Sequence, residues 1–395
     1  AMPAVTDGGR TYTFHIRKGI FFTPDPAFKG VKRELVAADF AYTIKRHADP
    51  KNCSPWAFMI EGRIAGLDKL IADAKKTGKF DYDAKIPGLE TPDPYTLVIR
   101  LVAPDFLFNY SMAHVPFGAM AREVVEFYGL EDVGGHPVGT GPYVLKEWKR
   151  ASRIVLEANP DYRGFVWDFA PSADEWDQQI VRDMRGKTMP QIGRVEISII
   201  EEDQSRWLAF GGKELDVLAL PGTFRPQAIG PDGKLNARWT GEGVKLYKAI
   251  DPDITYVFFN FRDPIVGGFE PAKLALRRAI IMSYDVREEI EVVRKGQAVR
   301  AQMPIPSYRT VNQYDPDLAN KLLDHFGYAK GADGWRRMPD GKPLVLRQAT
   351  GTSQIDRTFN ELWKKAADGI HGRMEFDAGK FADNLKKAKA CQLMM

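Results

Sequence analysis

The stretch His136–Trp148, HPVGTGPYVLKEW, places Pro137, Gly139 and Gly141 within its first six residues and then alternates apolar side chains. Two readings compete for it. A Gly-x-Gly that grips a phosphate sits between a strand and the N-terminus of a helix, whose free amides face the anion. Here the strand-like run follows the glycines, and no helix begins there. Pro142 also removes an amide where a nest of donors needs one. The stretch therefore reads as a sharp crossing: the glycines permit unusual φ, and the proline fixes the approach to a hairpin. It is structural rather than catalytic.

Downstream, YVLKEWKRASRIVLEANPDY gives two alternating segments about a polar tip at Arg150–Ser152, a hairpin, and RVEISII (Arg194–Ile200) is a further strand. DQSRWLAFGGKELDVLAL is helical up to Gly211 and Gly212, after which Leu215–Leu220 re-enters a sheet. GVKLYKAIDPDITYVFFNFRDP supplies two strands joined at Asp251–Asp253. Beyond Pro264 two helices are broken near Tyr284 and Asp285, and a third opens with Asp315 as N-cap and Pro316 inside and closes at Gly327. PLVLRQATGTSQIDRTFNELWKKAADG reads strand, polar loop, helix; RMEFDAGKFADNLKKAKACQLMM reads strand, helix and an apolar tail resembling a strand.

Upstream, RTYTFHIRKGIFF alternates Tyr12, Phe14 and Ile16 against Thr13, His15 and Arg17, a half-buried strand. VAADFAYTIKRHADP puts Val36, Phe40, Ile44 and His47 along one helical face ended by Pro50. MIEGRIAGLDKLIADAKKTGK continues with Ile60, Ile64, Leu67, Leu70, Ile71 and Ala74 as an amphipathic helix ending near Gly78, and Tyr95–Leu101 is a strand fed by a turn. Helices and strands alternate throughout, which indicates α/β layers.

The composition narrows the function. With 56 Lys and Arg against 52 Asp and Glu, scattered rather than clustered, no basic stripe marks a nucleic-acid footprint. Cys53 and Cys391 show no metal or disulfide spacing, and no run of 18 apolar residues spans a membrane. The start, AMPAVTDGGRTYTF, lacks a signal-peptide pattern. The six histidines stand singly, and neither a G-x-S-x-G elbow nor a GxxxxGK[ST] loop occurs. Neither a catalytic centre nor a metal or cofactor site is indicated. Trp207, Trp335 and Trp363 sit in amphipathic or turn patterns and read as packing residues.

An ordered series of these stretches resembles the family 5 extracellular solute-binding proteins of bacterial ABC importers. TYTFHIRKGIFF is similar to the family's TFxLRxGxxF strand, and ELVAADFAYTIKR to its following helix, with Val36 where Thr is more usual. PVGTGPYVLKEWKRASRIVLEANPDYRG is the most specific match, through Asn159, Pro160 and Tyr162. FFNFRDP, LRRAIIMSYDVREEI, GQAVRAQMPIP, YDPDLANKLLDHFGY and DGWRRMPDGKPLVL resemble later family segments in order.

The resemblance implies an α/β, bilobal periplasmic-binding-protein-like fold of type II, in the cluster with an extra subdomain, incomplete in this chain. Residues 1–135 would be a small accessory subdomain beside the large lobe, 136–254 part of that lobe, and 255–395 the second lobe. Family members are usually longer, so the chain resembles an internal fragment, and residues 61–90 look like an insertion. The Asp with which the family's peptide binders pair the ligand's amino terminus falls just beyond the strand that QLMM resembles.

The function implied is that of a periplasmic or extracellular, monomeric, non-enzymatic binding component that captures a peptide-like solute for an ABC permease. The alternatives are the same fold with a metal chelate, haem, opine or oligosaccharide, or an α/β hydrolase. In the expected strand TYVFFNF (Thr255–Phe261), Tyr256, Phe258 and Asn260 share a face, turned toward a cleft or into the core. In ATGTS, Thr350, Thr352 and Ser353 either donate to ligand or cap the helix that follows.

Overall fold

The computed structural model describes residues 2–249, 254–301 and 313–395. The expected joint at Asp251–Asp253 and the later part of GQAVRAQMPIP lie outside the described residues. The chain divides into two compact units, Ala1–Ile200 and Glu201–Met395.

In the first unit, β1 (Ala4–Thr6), β2 (Thr11–His15), α1 (Ala37–Ala48), α2 (Leu67–Thr77), β3 (Leu89–Asp93) and β4 (Thr96–Arg100) come first. The strands form an antiparallel sheet in the order β1-β2-β4-β3. Tyr12 lies opposite Ile99 and Phe14 opposite Leu97, so the alternation of β2 delivers one apolar face to a core shared with Ile44, Leu67, Leu70 and Phe108. His15 falls on the exposed side, as its parity requires. The helix expected across residues 60–78 begins only at Leu67. Gly62 and Gly66 both adopt positive φ, and that left-handed backbone cannot propagate a right-handed helix. Ile60 and Ile64 are buried all the same.

The first unit continues with α3 (Phe108–Met112), α4 (Arg122–Asp132), β5 (Tyr143–Lys149), β6 (Arg153–Ala158), β7 (Phe165–Val166), α5 (Glu175–Met184), β8 (Thr188–Met189) and β9 (Arg194–Ser198). β5 and β6 form the expected hairpin, with Lys149 opposite Arg153 across the polar tip, and β9 pairs along the other side of β6. The crossing before the hairpin differs from expectation in one respect. Neither Gly139 nor Gly141 has positive φ. The turn is held through its carbonyls instead. Gly139 O accepts from Thr23 N (2.9 Å), Gly141 O from Asn159 Nδ2 (2.9 Å) and Pro142 O from Asn159 N (2.8 Å).

The second unit contains α6 (Asp203–Gly211), α7 (Arg225–Ala228), α8 (Ala237–Gly241), α9 (Pro271–Ser283), α10 (Val286–Glu288), α11 (Pro316–His325), β10 (Val345–Thr350), α12 (Gln354–Gly369), β11 (Arg373–Ala378) and α13 (Phe381–Lys389). β10 and β11 run parallel in register from Val345–Arg373 to Thr350–Ala378, and α12 makes the crossover that parallel strands require. Leu344, Leu346, Leu276, Ile280, Leu323, Tyr328 and Ile370 fill the core. At its margin the buried Arg336 donates to Ile370 O, Tyr328 O, Asn320 Oδ1 and Asp324 Oδ1, joining α11 to the turn before β11. Asp315 caps α11 by accepting from Leu318 N (2.8 Å), as the sequence indicates, and Asp285, at the expected helix break, caps α10.

Three expected strands do not form among the described residues: Leu215–Leu220, residues 244–249 and Thr255–Phe261 have no ladder partner there. Alternation marks two faces, but a strand exists only where a neighbouring backbone completes its hydrogen bonds, and that depends on residues distant in sequence.

Candidate functional site

The six side chains singled out in the sequence, Tyr256, Phe258, Asn260, Thr350, Thr352 and Ser353, all fall in the second unit. They form two groups on either side of the segment Gln392–Met395. Met394 O accepts from Asn260 N (2.9 Å), and Met395 O accepts from Ala349 N (3.0 Å). Consecutive carbonyls of this segment thus face opposite neighbours, as in a strand. Met394 Sδ lies 3.2 Å from Arg347 N, and Leu393, Met394 and Met395 are buried. The strand expected of QLMM is not formed: the segment makes single backbone contacts to either side rather than a ladder.

Asn260 is committed to that segment. Its Nδ2 donates to Cys391 O and Leu393 O, both at 2.9 Å, and its Oδ1 accepts from Arg262 N at 3.0 Å. One residue of the following turn and two of the distant segment are thereby tied to one amide. Tyr256 and Phe258, by contrast, are 70% and 41% exposed.

Thr350 ends β10, and its carbonyl accepts from Gly379 N (3.0 Å) and Asn384 Nδ2 (2.9 Å). Thr352 is exposed. Ser353 is the N-cap of α12: its Oγ accepts from Asp356 N (3.3 Å), while Asp356 Oδ2 accepts from Ser353 N (2.9 Å). This reciprocal box satisfies two free helix donors and sets a negative charge at the positive end of the helix dipole. It also explains Gly351, where a Cβ would stand 2.2 Å from Asp356 Oδ2. Ser353 therefore takes the capping role, and its hydroxyl is already shared with Asp356.

Two polar groups close to these were not singled out in the sequence. Gln348 shares parity with the buried Leu344 and Leu346 on β10, is itself buried, and leaves Oε1 without a hydrogen-bond partner. The signal was present: a polar residue on the apolar face of LVLRQAT. Arg277, on α9, donates to Gly268 O at 2.9 Å and to Val266 O, and its guanidinium lies 4.5 Å from the centre of the Phe261 ring. No pattern in the helix marks it, because its partners lie in the preceding turn.

Two of the three tryptophans read as packing residues stack on neighbouring rings, Trp207 on Phe224 (5.4 Å) and Trp363 on Tyr284 (4.1 Å). Trp335 lies with the Arg373 guanidinium over its ring (5.9 Å). Burial and the nearby Glu289 carboxylate, to which its hydroxyl donates at 2.8 Å, hold Tyr284 well above the ordinary phenol range. Among the described residues no group of three or more His, Cys, Asp or Glu side chains is placed to hold a metal. Of the six, Tyr256 and Phe258 offer exposed aromatic area and Thr352 an exposed hydroxyl, while Asn260 and Ser353 are committed within the protein.

Residues 2–385 match the family described as bacterial extracellular solute-binding proteins, family 5 Middle. The chain is 26% identical over 344 residues to Heme-binding protein A of Haemophilus influenzae, an alignment covering 84% of this chain and 54% of that protein. It is 25% identical over 399 residues to the Dipeptide-binding protein of Escherichia coli K12, covering 93% and 64%. The chain therefore spans between half and two thirds of the length of these curated relatives. Among solved structures, NikZ from Campylobacter jejuni in complex with Ni(L-His) superposes with a TM-score of 0.66 at 16% identity, over 96% of this chain and 64% of that one. The Escherichia coli murein tripeptide binding protein MppA superposes with a TM-score of 0.65 at 20% identity, over 98% and 67%. The fold is thus the α/β fold of the periplasmic binding proteins, and the chain belongs to the bacterial extracellular solute-binding proteins of family 5.

Proposed function

We propose that this protein captures a small peptide-like solute in the periplasm or outside the cell, as a monomer, and presents it to the permease of an ABC importer. The single observation that carries the reading is the family match over residues 2–385. The dipeptide-, tripeptide- and oligopeptide-binding names among the relatives support the ligand class. In this reading residues 1–135 act as an accessory subdomain, 136–254 contribute to a large lobe and 255–395 to a second lobe. Capture works as a population shift: a ligand that touches both lobes favours the closed form, and the permease recognises that form. Tyr256 and Phe258 supply aromatic walls, and Thr350 and Thr352 supply donors. Asn260 and Ser353 hold the surrounding backbone in place. A peptide shares its amides and termini with every other peptide, so wet, partly aromatic pockets accommodate its varied side chains. No covalent step is needed.

A second reading, a haem-like or metal-chelate solute, is favoured by the relative named Heme-binding protein A and by the nickel–histidine complex of NikZ. Thermal shift separates the two. A ligand that binds only the folded state raises the melting midpoint, by about 2.7 kcal/mol of stability at a hundredfold excess over Kd. A shift with di- and tripeptides supports the peptide reading; a shift with haem or nickel–histidine alone overturns it. Cleavage of peptide by the pure protein would overturn a purely binding role.

A further inference from the structure

Asn260 is the only one of the six singled-out side chains whose polar atoms all bind backbone, and those backbone groups belong to two different stretches of chain. Its Oδ1 holds Arg262 N in the turn that follows Phe261, while its two Nδ2 hydrogens go to Cys391 O and Leu393 O. Its own N–H reaches Met394 O. The next carbonyl of that segment, on Met395, then accepts from Ala349 N, beside Thr350 at the end of β10. A chain of hydrogen bonds therefore runs from the exposed Tyr256–Phe258 stretch, through Asn260 and residues 391–395, to the loop that carries Thr350 and Thr352.

One end of this chain, at Ala349 and Thr350, belongs to the β10–β11 ladder; the other does not. Among the described residues Thr255–Phe261 has no paired strand, and residues 392–395 are held by single hydrogen bonds to either side and by the burial of Met394 and Met395 in the core. In a ladder, each hydrogen bond is backed by its neighbours, and loss of one shifts little. Here the Asn260 amide adds two bonds to residues 391–393 outside any ladder, so its loss loosens the tie between the two stretches.

We infer that Asn260 is a positioning residue for ligand capture: it fixes the register between the Tyr256–Phe258 stretch and the Thr350–Thr352 loop so that both can meet one peptide. This rests on the peptide-binding reading above. A side chain that bound ligand directly would keep polar atoms free. Asn260 spends all of them on the protein and acts through the residues it places.

The test uses Asn260→Ala and Asn260→Asp, with Leu323→Ala as a control. Asn260→Asp keeps the size and the acceptor for Arg262 N but loses both donors to Cys391 and Leu393. Leu323 lies in the same unit's core and removes stability without touching the hydrogen-bond chain. Affinity for L-alanyl-L-alanine and for L-alanyl-L-alanyl-L-alanine is measured by calorimetry below the melting range of every variant. Both Asn260 variants are expected to bind about tenfold more weakly, as two lost hydrogen bonds allow, while Leu323→Ala changes affinity less than about twofold. Equal losses in all three, or none in the Asn260 variants, would overturn the inference. Amide hydrogen exchange supplies a measurement that needs no ligand: in Asn260→Asp, Ala349 N–H should exchange about tenfold faster, and an unchanged rate there would also overturn it. If the unaltered protein binds neither peptide, the peptide reading fails, and the exchange rate of Ala349 still decides whether Asn260 governs the register.

Discussion

Asn159 Nδ2 donates to Gly141 O at 2.9 Å, so the residue that ends the β5–β6 hairpin reaches back to hold the glycine-rich crossing that begins it. Its backbone N–H adds a second tie to Pro142 O, and its Oδ1 accepts from Asp161 N at 3.0 Å. Asn159 itself is buried, while Asp161 is exposed. Asn159→Ala should cost about 2 kcal/mol by removing the partner of the Gly141 and Asp161 groups. Urea unfolding reads this as a lower midpoint at unchanged slope. A loss under about 0.5 kcal/mol would show that the crossing does not depend on the clamp.

Arg336 and Asp324 give a contrast in one network. The Arg336 side chain is 0% exposed and Asp324 is 60% exposed, so the ion pair is anchored on its buried side. Arg336→Ala strands Ile370, Tyr328 and Asn320 carbonyls and should cost about 3–5 kcal/mol. Asp324→Asn leaves those bonds intact and should cost under about 1 kcal/mol. Similar losses from the two changes, in parallel denaturant titrations, would refute this division.

Val36 stands at the N-cap of α1 with no side-chain acceptor, although Asp39 Oδ2 already receives Val36 N at 2.8 Å. Half of a capping box is in place. Val36→Thr supplies the missing acceptor and should raise stability by about 0.5–1 kcal/mol. A fall in melting temperature would mean that the half-buried Val36 methyls matter more than the cap.

Burial pushes the Tyr328 hydroxyl up from 10.0 to about 12, against the opposing pull of the Arg277 charge, and the hydroxyl donates to Ala272 O at 3.0 Å. The folded state thus favours the neutral phenol. Its contribution is complete below pH 10 and is lost as pH rises through about 12. Tyr328→Phe should lower stability at neutral pH yet flatten the decline between these limits. An alkaline decline as steep in the variant as in the parent would assign it to other groups.

Tyr256 is exposed enough that Tyr256→Ala should leave the melting temperature within about 1 °C. On the proposed function the same change should weaken peptide binding by about 1–2 kcal/mol, as loss of an aromatic contact does. Calorimetry showing full affinity would remove Tyr256 from the site.

Local signals in the sequence carried the elements that close on themselves. The β5–β6 hairpin, the Asp315 cap, the helix break at Tyr284–Asp285 and the amphipathic face of β2 all follow from residues within a few positions of one another. What stayed illegible depends on distant partners. Thr255–Phe261 alternates like a strand but finds only the edge of residues 391–394, and Leu215–Leu220 finds no ladder. Gly139 and Gly141 were readable as a turn, but not that Asn159 and Thr23 rather than positive φ hold it. Of the candidate site, the ATGTS loop disclosed its helix cap, since Ser353 and Asp356 are three residues apart. The commitment of Asn260 to Cys391 and Leu393 could not be read, because more than a hundred residues separate them.

That separation bears on how the second unit is made. Synthesis is vectorial, so Asn260 and the end of β10 emerge long before residues 391–395 arrive between them. The loop closed by Asn260 and Leu393 spans 133 positions, and contacts of such high order form late and slowly. Until then the edge of β10 at Arg347 and Ala349 lacks the partners that Met394 and Met395 later supply.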